Sequence, residues 1–169
     1  MSRADGERKR KGTVAVTIRK ARRADLPGMH AIDQFGAQLE GYDGLDLLDP
    51  EHKEAKGEGS YFKRFLYGKD RWCLVAEMDS KIAGFILFNI EKRAVYFKFN
   101  RVGYLDLVIV DKAARGRGIA RLLVQEATKI LAAAGMTHLK LSVHTQNPAH
   151  EVWKALGFSD YRIDMWKRI

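Results

Sequence analysis

Val110-Asp-Lys-Ala-Ala-Arg-Gly-Arg-Gly-Ile-Ala120 is the stretch on which the reading of this chain turns. On its N-terminal side, Tyr104–Val110 is a nearly unbroken apolar run with Asp106 as its one charge, which predicts a central strand buried on both faces. On its C-terminal side Ile119, Leu122, Leu123, Ala127, Ile130, Leu131 and Ala134 recur at the 3.6-residue period. The spacing predicts an amphipathic helix over Gly116–Ala134, closed by Gly135. Between the two lies a glycine-rich turn leading into a helix N-terminus. The first turn of a helix carries unpaired N–H groups and the positive end of the dipole. Gly116 and Gly118 have no Cβ, so an anion can come close, and Arg115 and Arg117 add charged donors. A pyrophosphate suits such a corner. The bland alternative is a connection whose glycines merely turn the chain. The spacing departs both from a phosphate loop ending in Gly-Lys-Ser/Thr and from the dinucleotide pattern Gly-x-Gly-x-x-Gly.

Working outward, Val14–Arg19 is β-branched and reads as the first strand. Asp25 looks like an N-cap for a helix running to about Leu39, and Gly41 and Gly44 break it. Asp49-Pro50-Glu51 is a helix-start signature for a second helix reaching about Tyr67, stopped by Gly68. Trp72–Met78 and Lys81–Ile90 read as a hairpin around Asp79-Ser80. Val95–Asn100 alternates and is expected to continue the sheet. After the long helix come a strand at Leu139–Val143, a short helix at Pro148–Leu156 ending at Gly157, and a closing strand at Tyr161–Lys167. The order is mixed α/β around one sheet, without repeats or linkers.

The 169 residues suit one domain, with 46% apolar and 30% charged residues. That balance excludes intrinsic disorder, and no stretch approaches the ~18 apolar residues of a membrane span. Met1–Gly12 has no apolar segment of signal-peptide type, so a cytoplasmic location is expected. The single Cys73 cannot form an internal disulfide or a thiolate zinc site, and in an apolar strand it reads as core. The five histidines offer no metal-ligand spacing. A net charge of +9 favours polyanionic ligands. Residues 1–12 hold five cations against two acids and read as a flexible basic arm, with the domain proper over residues 13–169. Residues 40–58 run the other way, with seven acids against two lysines.

Arg115-Gly-Arg-Gly-Ile-Ala120 resembles the Arg/Gln-x-x-Gly-x-Gly/Ala signature of the GNAT superfamily of N-acyltransferases, which bind acetyl-CoA there. Leu-Val-Ile-Val110 resembles the family's fourth strand, and the segment from Gln146 to Phe158 resembles its second cofactor motif. The resemblance is specific from Leu105 to Phe158 and follows the element order from Val14 onward. It implies a single-domain GNAT-like α/β fold: a mixed, mostly antiparallel central sheet flanked by helices, with a cofactor cleft where the fourth and fifth strands splay apart. It further implies that the backbone of Val108, Ile109 and Val110 pairs with the pantetheine arm. The N–H groups of Arg115, Gly116, Arg117, Gly118, Ile119 and Ala120 would cradle the pyrophosphate. Asn147 would line the cofactor's other side, although Gln146 occupies the position usual for the family's asparagine. Trp153 falls on the cofactor wall where many members carry a tyrosine that protonates the leaving thiolate. An indole cannot supply that proton. A thiol of pKa roughly 8.5 can depart without much help, so the acid is dispensable, a water, or a residue elsewhere such as Tyr161.

An amine attacks a thioester only when neutral, which calls for a base. Asp106 is the candidate, directly or through water, since it is an unexpected charge in a buried run and shares strand parity with Val108 and Val110. The competing reading is a carboxylate held structurally by a nearby Arg or backbone N–H. His144 is a lesser candidate in the same cleft. Direct transfer needs no nucleophile and no metal. The acidic segment 40–58, at the place where the family covers its acceptor, points to a cationic small-molecule amine; capping and local ion pairs explain part of that charge equally well. The rival readings are a protein N-terminal or lysine acetyltransferase, a non-catalytic acyl-CoA-binding module, and a nucleic-acid binder built on Arg8–Lys11, the least favoured. No membrane partner is expected. The sequence leaves open the acceptor, the acyl chain and whether the protein forms a homodimer.

Overall fold

The computed structural model describes residues 15–33, 61–165, 167 and 169. Over these the chain runs β1 (Thr17–Lys20), α1 (Leu26–Ile32), α2 (Lys63–Tyr67), β2 (Arg71–Met78), β3 (Lys81–Lys92), β4 (Arg101–Val110), α3 (Ile119–Ala133), β5 (Leu139–Lys140) and α4 (Ala149–Ala155). The basic arm, the end of the first helix near Leu39, the helix start at Asp49-Pro50-Glu51 and the acidic segment 40–58 lie outside the described residues. Among the described residues no helix is long and apolar enough to cross a membrane.

The strands form one sheet in the order β1-β2-β3-β4-β5. Neighbours are antiparallel except for β4 and β5, which run parallel and are joined by α3 as a crossover. The β2–β3 hairpin turns at Asp79 and Ser80, both at positive φ (51° and 58°), as a two-residue primed turn requires. The sheet has a helical layer on each face. Leu74, Ile86, Phe88 and Leu105 pack with Leu123, Ala127 and Leu131 of α3, while Val75, Phe85, Leu87 and Ile109 pack with Met29, Phe62 and Phe65. Ala83–Phe88 is buried throughout, so β3 is covered on both faces, as is β2 over Cys73–Ala76. Each fully buried leucine or phenylalanine contributes about 2 kcal/mol of apolar transfer energy, and β3 concentrates them.

Several expectations change. The helix expected from Gly116 begins three residues later, because Gly116 and Gly118 both adopt left-handed φ (77° and 75°). Asp25 occupies the N-cap position of α1, but its side chain makes no capping hydrogen bond there. Its carboxylate turns back to accept from the Arg22 N–H at 2.7 Å and from Arg19 at 2.8 Å, closing a 3-10 turn at Arg23–Asp25. Residues 95–100 do not extend the sheet. They form the connection between β3 and β4, closed by Arg93 N–H to Asn100 O at 2.7 Å, with the Arg93 guanidinium 3.6 Å from the Phe97 ring centroid. The strand expected over Leu139–Val143 pairs only at Leu139 and Lys140, and α4 spans Ala149–Ala155. No closing strand forms over residues 161–165, where Tyr161, Ile163 and Met165 are exposed. Alternation makes a segment suited to a strand, but pairing needs a complementary edge, and beyond Lys140 β5 presents none.

Candidate functional site

β4 runs against β3 for its whole length, from Lys92 opposite Arg101 to Gly84 opposite Val110. On its other side β5 pairs only with Gly103 and Tyr104. Among the described residues, therefore, no strand covers β4 from Leu105 to Val110. The burial expected on both faces is only partial, since Asp106, Leu107, Val108 and Val110 are half-buried, while the open edge beyond Tyr104 is the splay between the fourth and fifth strands that the family resemblance implies. Such an edge presents alternate N–H and C=O groups to an extended ligand. Val108 and Val110 turn their side chains toward the α3 layer, and Ile109 turns toward α1 and α2.

Past Val110 the chain makes a tight corner. Asp111 donates its N–H to Ala83 O at 2.9 Å and accepts from the Ala113 N–H at 3.1 Å. A short 3-10 turn over Lys112–Ala114 leads to Arg115 in extended conformation, then to the two left-handed glycines. A Cβ built on Gly116 or Gly118 would meet nothing within 4 Å, so both face open space. Among the described residues the N–H groups of Gly116, Arg117 and Gly118 form no hydrogen bond. Those at the start of α3 have no intrahelical acceptor. Ile119 is 1% exposed and anchors the helix start on the sheet, while Arg115, Arg117 and Gly118 lie on the surface. The corner thus offers a row of outward donors and adjacent cations, a donor set that fits a diphosphate.

Beyond the corner, α3 and the end of α4 border a groove of about 460 Å³ lined by Arg121, Gln125, Lys129, Ala155 and Leu156 among others. Asn147 starts α4: its Oδ1 accepts from the Ala149 N–H at 2.8 Å, and it is half-buried while Gln146 is exposed. Trp153 packs edge-on to Phe158 at 5.6 Å, beside the core beneath α3.

Asp106 sits at an irregularity. Leu87 lies opposite Leu107 and Phe88 opposite Leu105, so Asp106 has no partner on β3 and forms a β-bulge. The bulge breaks the expected parity. Val108 and Val110 face α3, whereas Asp106 accepts a hydrogen bond from the hydroxyl of Tyr61, which packs edge-on to Phe65 in the other layer. Burial pushes the Asp106 carboxyl up to about 6. Among the described residues it is the Tyr61 hydroxyl, not an arginine or a backbone N–H, that bonds this carboxylate. Tyr61 went unnoticed in the sequence because its link to Asp106 spans 45 positions and depends on the bulge.

Other residues separate from this site. The Tyr161 hydroxyl accepts from Arg93 at 2.6 Å, next to the Lys92–Arg101 end of the sheet. That is the end of β4 opposite to Val110, about 30 Å from Val110 and about 17 Å from Asp106 along the strand. Cys73 is buried in β2, and desolvation pushes its thiol up to about 12. His144 lies before α4, where its Nδ1 accepts from the Gln146 N–H at 3.2 Å.

Among solved structures, the aminoglycoside N-acetyltransferase AAC(6')-Iy in complex with CoA superposes with a TM-score of 0.71 at 18% identity, covering 93% of this chain and 96% of that one. That likeness establishes the fold. An N-acetyltransferase of Methanocaldococcus jannaschii is 29% identical over 154 residues, 87% of this chain. An N-alpha-acetyltransferase of Arabidopsis thaliana is 30% identical over 115 residues, 68% of this chain. This chain spans 62% and 58% of the lengths of those two relatives. The model of the acetyltransferase (GNAT) family matches residues 42–158, which takes in the open edge of β4, the glycine corner, α3 and α4. The chain belongs to the acetyltransferase (GNAT) family.

Proposed function

We propose that this protein is an acetyl-CoA-dependent N-acetyltransferase that acetylates a primary amine by direct attack. The observation that carries the reading is the glycine corner. Two left-handed glycines open to solvent follow directly on the unpaired edge of β4. The N–H groups of Arg115 to Ala120 hold the diphosphate, with Arg115 and Arg117 adding charge. The groove carrying Arg121 and Lys129 lies along α3, the helix that follows this corner, and receives the rest of the nucleotide. Backbone groups of Val108 to Val110 align the pantetheine arm, and Asn147 and Trp153 border it on the α4 side. When bound, acetyl-CoA supplies an activated thioester carbonyl and a thiol leaving group.

Asp106 takes the proton that the amine loses as its nitrogen bonds to that carbonyl, directly or through one water. A carboxyl near 6 is ionised at neutral pH and still basic enough to accept a proton. No side-chain acid is required for a leaving thiol of pKa roughly 8.5. The Tyr161 hydroxyl is engaged by Arg93 near the Arg101 end of β4, and Trp153 has no acidic proton. The reading extends to a cationic small-molecule acceptor, as expected from the acidic segment 40–58. A protein N-terminus is the second acceptor class, favoured by the N-alpha-acetyltransferase relative.

The test has two steps. Acetyl-CoA should raise the melting temperature, by about 2.7 kcal/mol of stabilisation at one hundred times its Kd. Thiol release should then follow addition of spermidine, an aminoglycoside or an N-terminal peptide. A melting shift without thiol release from any amine would leave an acyl-CoA-binding module; no shift at millimolar acetyl-CoA would remove the cradle.

A further inference from the structure

Tyr61 lies two residues before α2 and is carried on an anchored segment. Phe62 and Phe65 are 1% and 2% exposed, and Phe62 meets Phe85 of β3 edge-on at 5.2 Å. The Tyr61 ring packs edge-on to Phe65 at 5.3 Å, and the Arg64 guanidinium lies 5.9 Å from its centroid. Its hydroxyl donates to Oδ2 of Asp106. Among the described residues Oδ1 of Asp106 has no hydrogen-bond partner, and it is not one of the polar atoms sealed from solvent. One carboxylate oxygen is held and the other is open to solvent.

We infer that Tyr61 is a positioning residue for acetyl transfer, fixing the carboxylate of Asp106 through Oδ2 so that Oδ1 meets the incoming amine. The inference rests on the assignment of Asp106 as the base. A bulged residue lacks the flanking ladder bonds that hold a regular strand position, so an external donor has something to fix. Among the described residues Asp106 meets the hydroxyl of Tyr61 from the segment entering α2, with Arg64 against that ring; Leu107 and Leu87 lie on the same side of the sheet, and Leu105 and Phe88 on the α3 side. Among the described residues no charge contributes to the raised carboxyl, and burial is its cause. A phenol O–H donated to the carboxylate favours the ionised form and works against that burial.

Tyr61→Phe keeps the ring contacts and removes the donor. Carboxyl carbon NMR on full-length protein labelled at aspartate should show the Asp106 midpoint rising by roughly half to one unit in this variant. The acid limb of kcat/KM, measured with acetyl-CoA and spermidine or an N-terminal peptide, should move by the same amount, and the melting shift with acetyl-CoA should stay as in the wild type. Equal midpoints in wild type and Tyr61→Phe, with Asp106→Asn inactive, would overturn the role of Tyr61 and leave the base in place. Undiminished turnover in Asp106→Asn would instead remove the base assignment, and the role of Tyr61 in transfer with it, whatever the midpoints do.

Discussion

Leu105 lies opposite Phe88 and Leu107 opposite Leu87, so two leucines of equal parity in the sequence face opposite layers of the sheet. The residue between them, Asp106, absorbs the irregularity and reaches Tyr61 instead of the α3 layer. A charge in an apolar strand is costly unless satisfied. Here the bulge lets it leave the packed face, where it keeps one contact and partial access to water.

Asp106→Asn should lower turnover about 100-fold while leaving the melting shift with acetyl-CoA intact. In the wild type, kcat/KM should rise as pH passes about 6, where the carboxyl ionises, and level off above it. A rate unchanged in the variant across that range would take Asp106 out of the mechanism.

The same carboxyl costs stability. Its folded pKa of about 6 lies above the unfolded 3.8, so the penalty is absent below pH 3.8, grows between the two values and is complete above 6. Asp106→Asn should thus be more stable than the wild type at pH 7.5, by about 1 kcal/mol once solvent screening of this half-exposed group is allowed for. Denaturant midpoints at pH 7.5 and pH 3.5 check this; a gain equal at both values would place its origin elsewhere.

Gly118→Asp should abolish the acetyl-CoA melting shift, since it sets a carboxylate where phosphates are expected. Gly118→Ala separates charge from backbone: its Cβ meets no atom, so its cost is the left-handed φ of 75°, about 1 kcal/mol. Cofactor binding equal to wild type in both variants would count against the cradle.

Asp25→Ala should destabilise by about 2 kcal/mol at pH 7, because the Arg22 N–H and Arg19 both lose a buried acceptor. Arg19 holds the Asp25 carboxyl below its usual range. That contribution is therefore present above the unfolded value near 3.8 and fades as pH falls below it. Unfolding at pH 7 and pH 2.5 should show the difference between the two proteins shrinking at the acid end.

Cys73 should resist an aromatic disulfide reagent at pH 8 until the protein unfolds, since burial holds the thiol near 12. Rapid labelling of the folded protein, prevented by acetyl-CoA, would reopen a covalent route.

Much of this protein was legible in the amino-acid order alone. The β2–β3 hairpin, the glycine corner and α3 are local features, set by turn-forming residues and by apolar spacing within one helix, and all three survive with shifts of a few residues. Family membership followed from the corner and the segment around Asn147. What required the tertiary structure was every property that depends on a partner far along the chain. How deeply β4 is buried depends on the layers packed against it, and whether 161–165 joins the sheet depends on an edge being there to receive it. Asp106 meets Tyr61 because one unpaired residue reverses the strand's faces, and periodicity cannot show a reversal that only the neighbouring strand imposes.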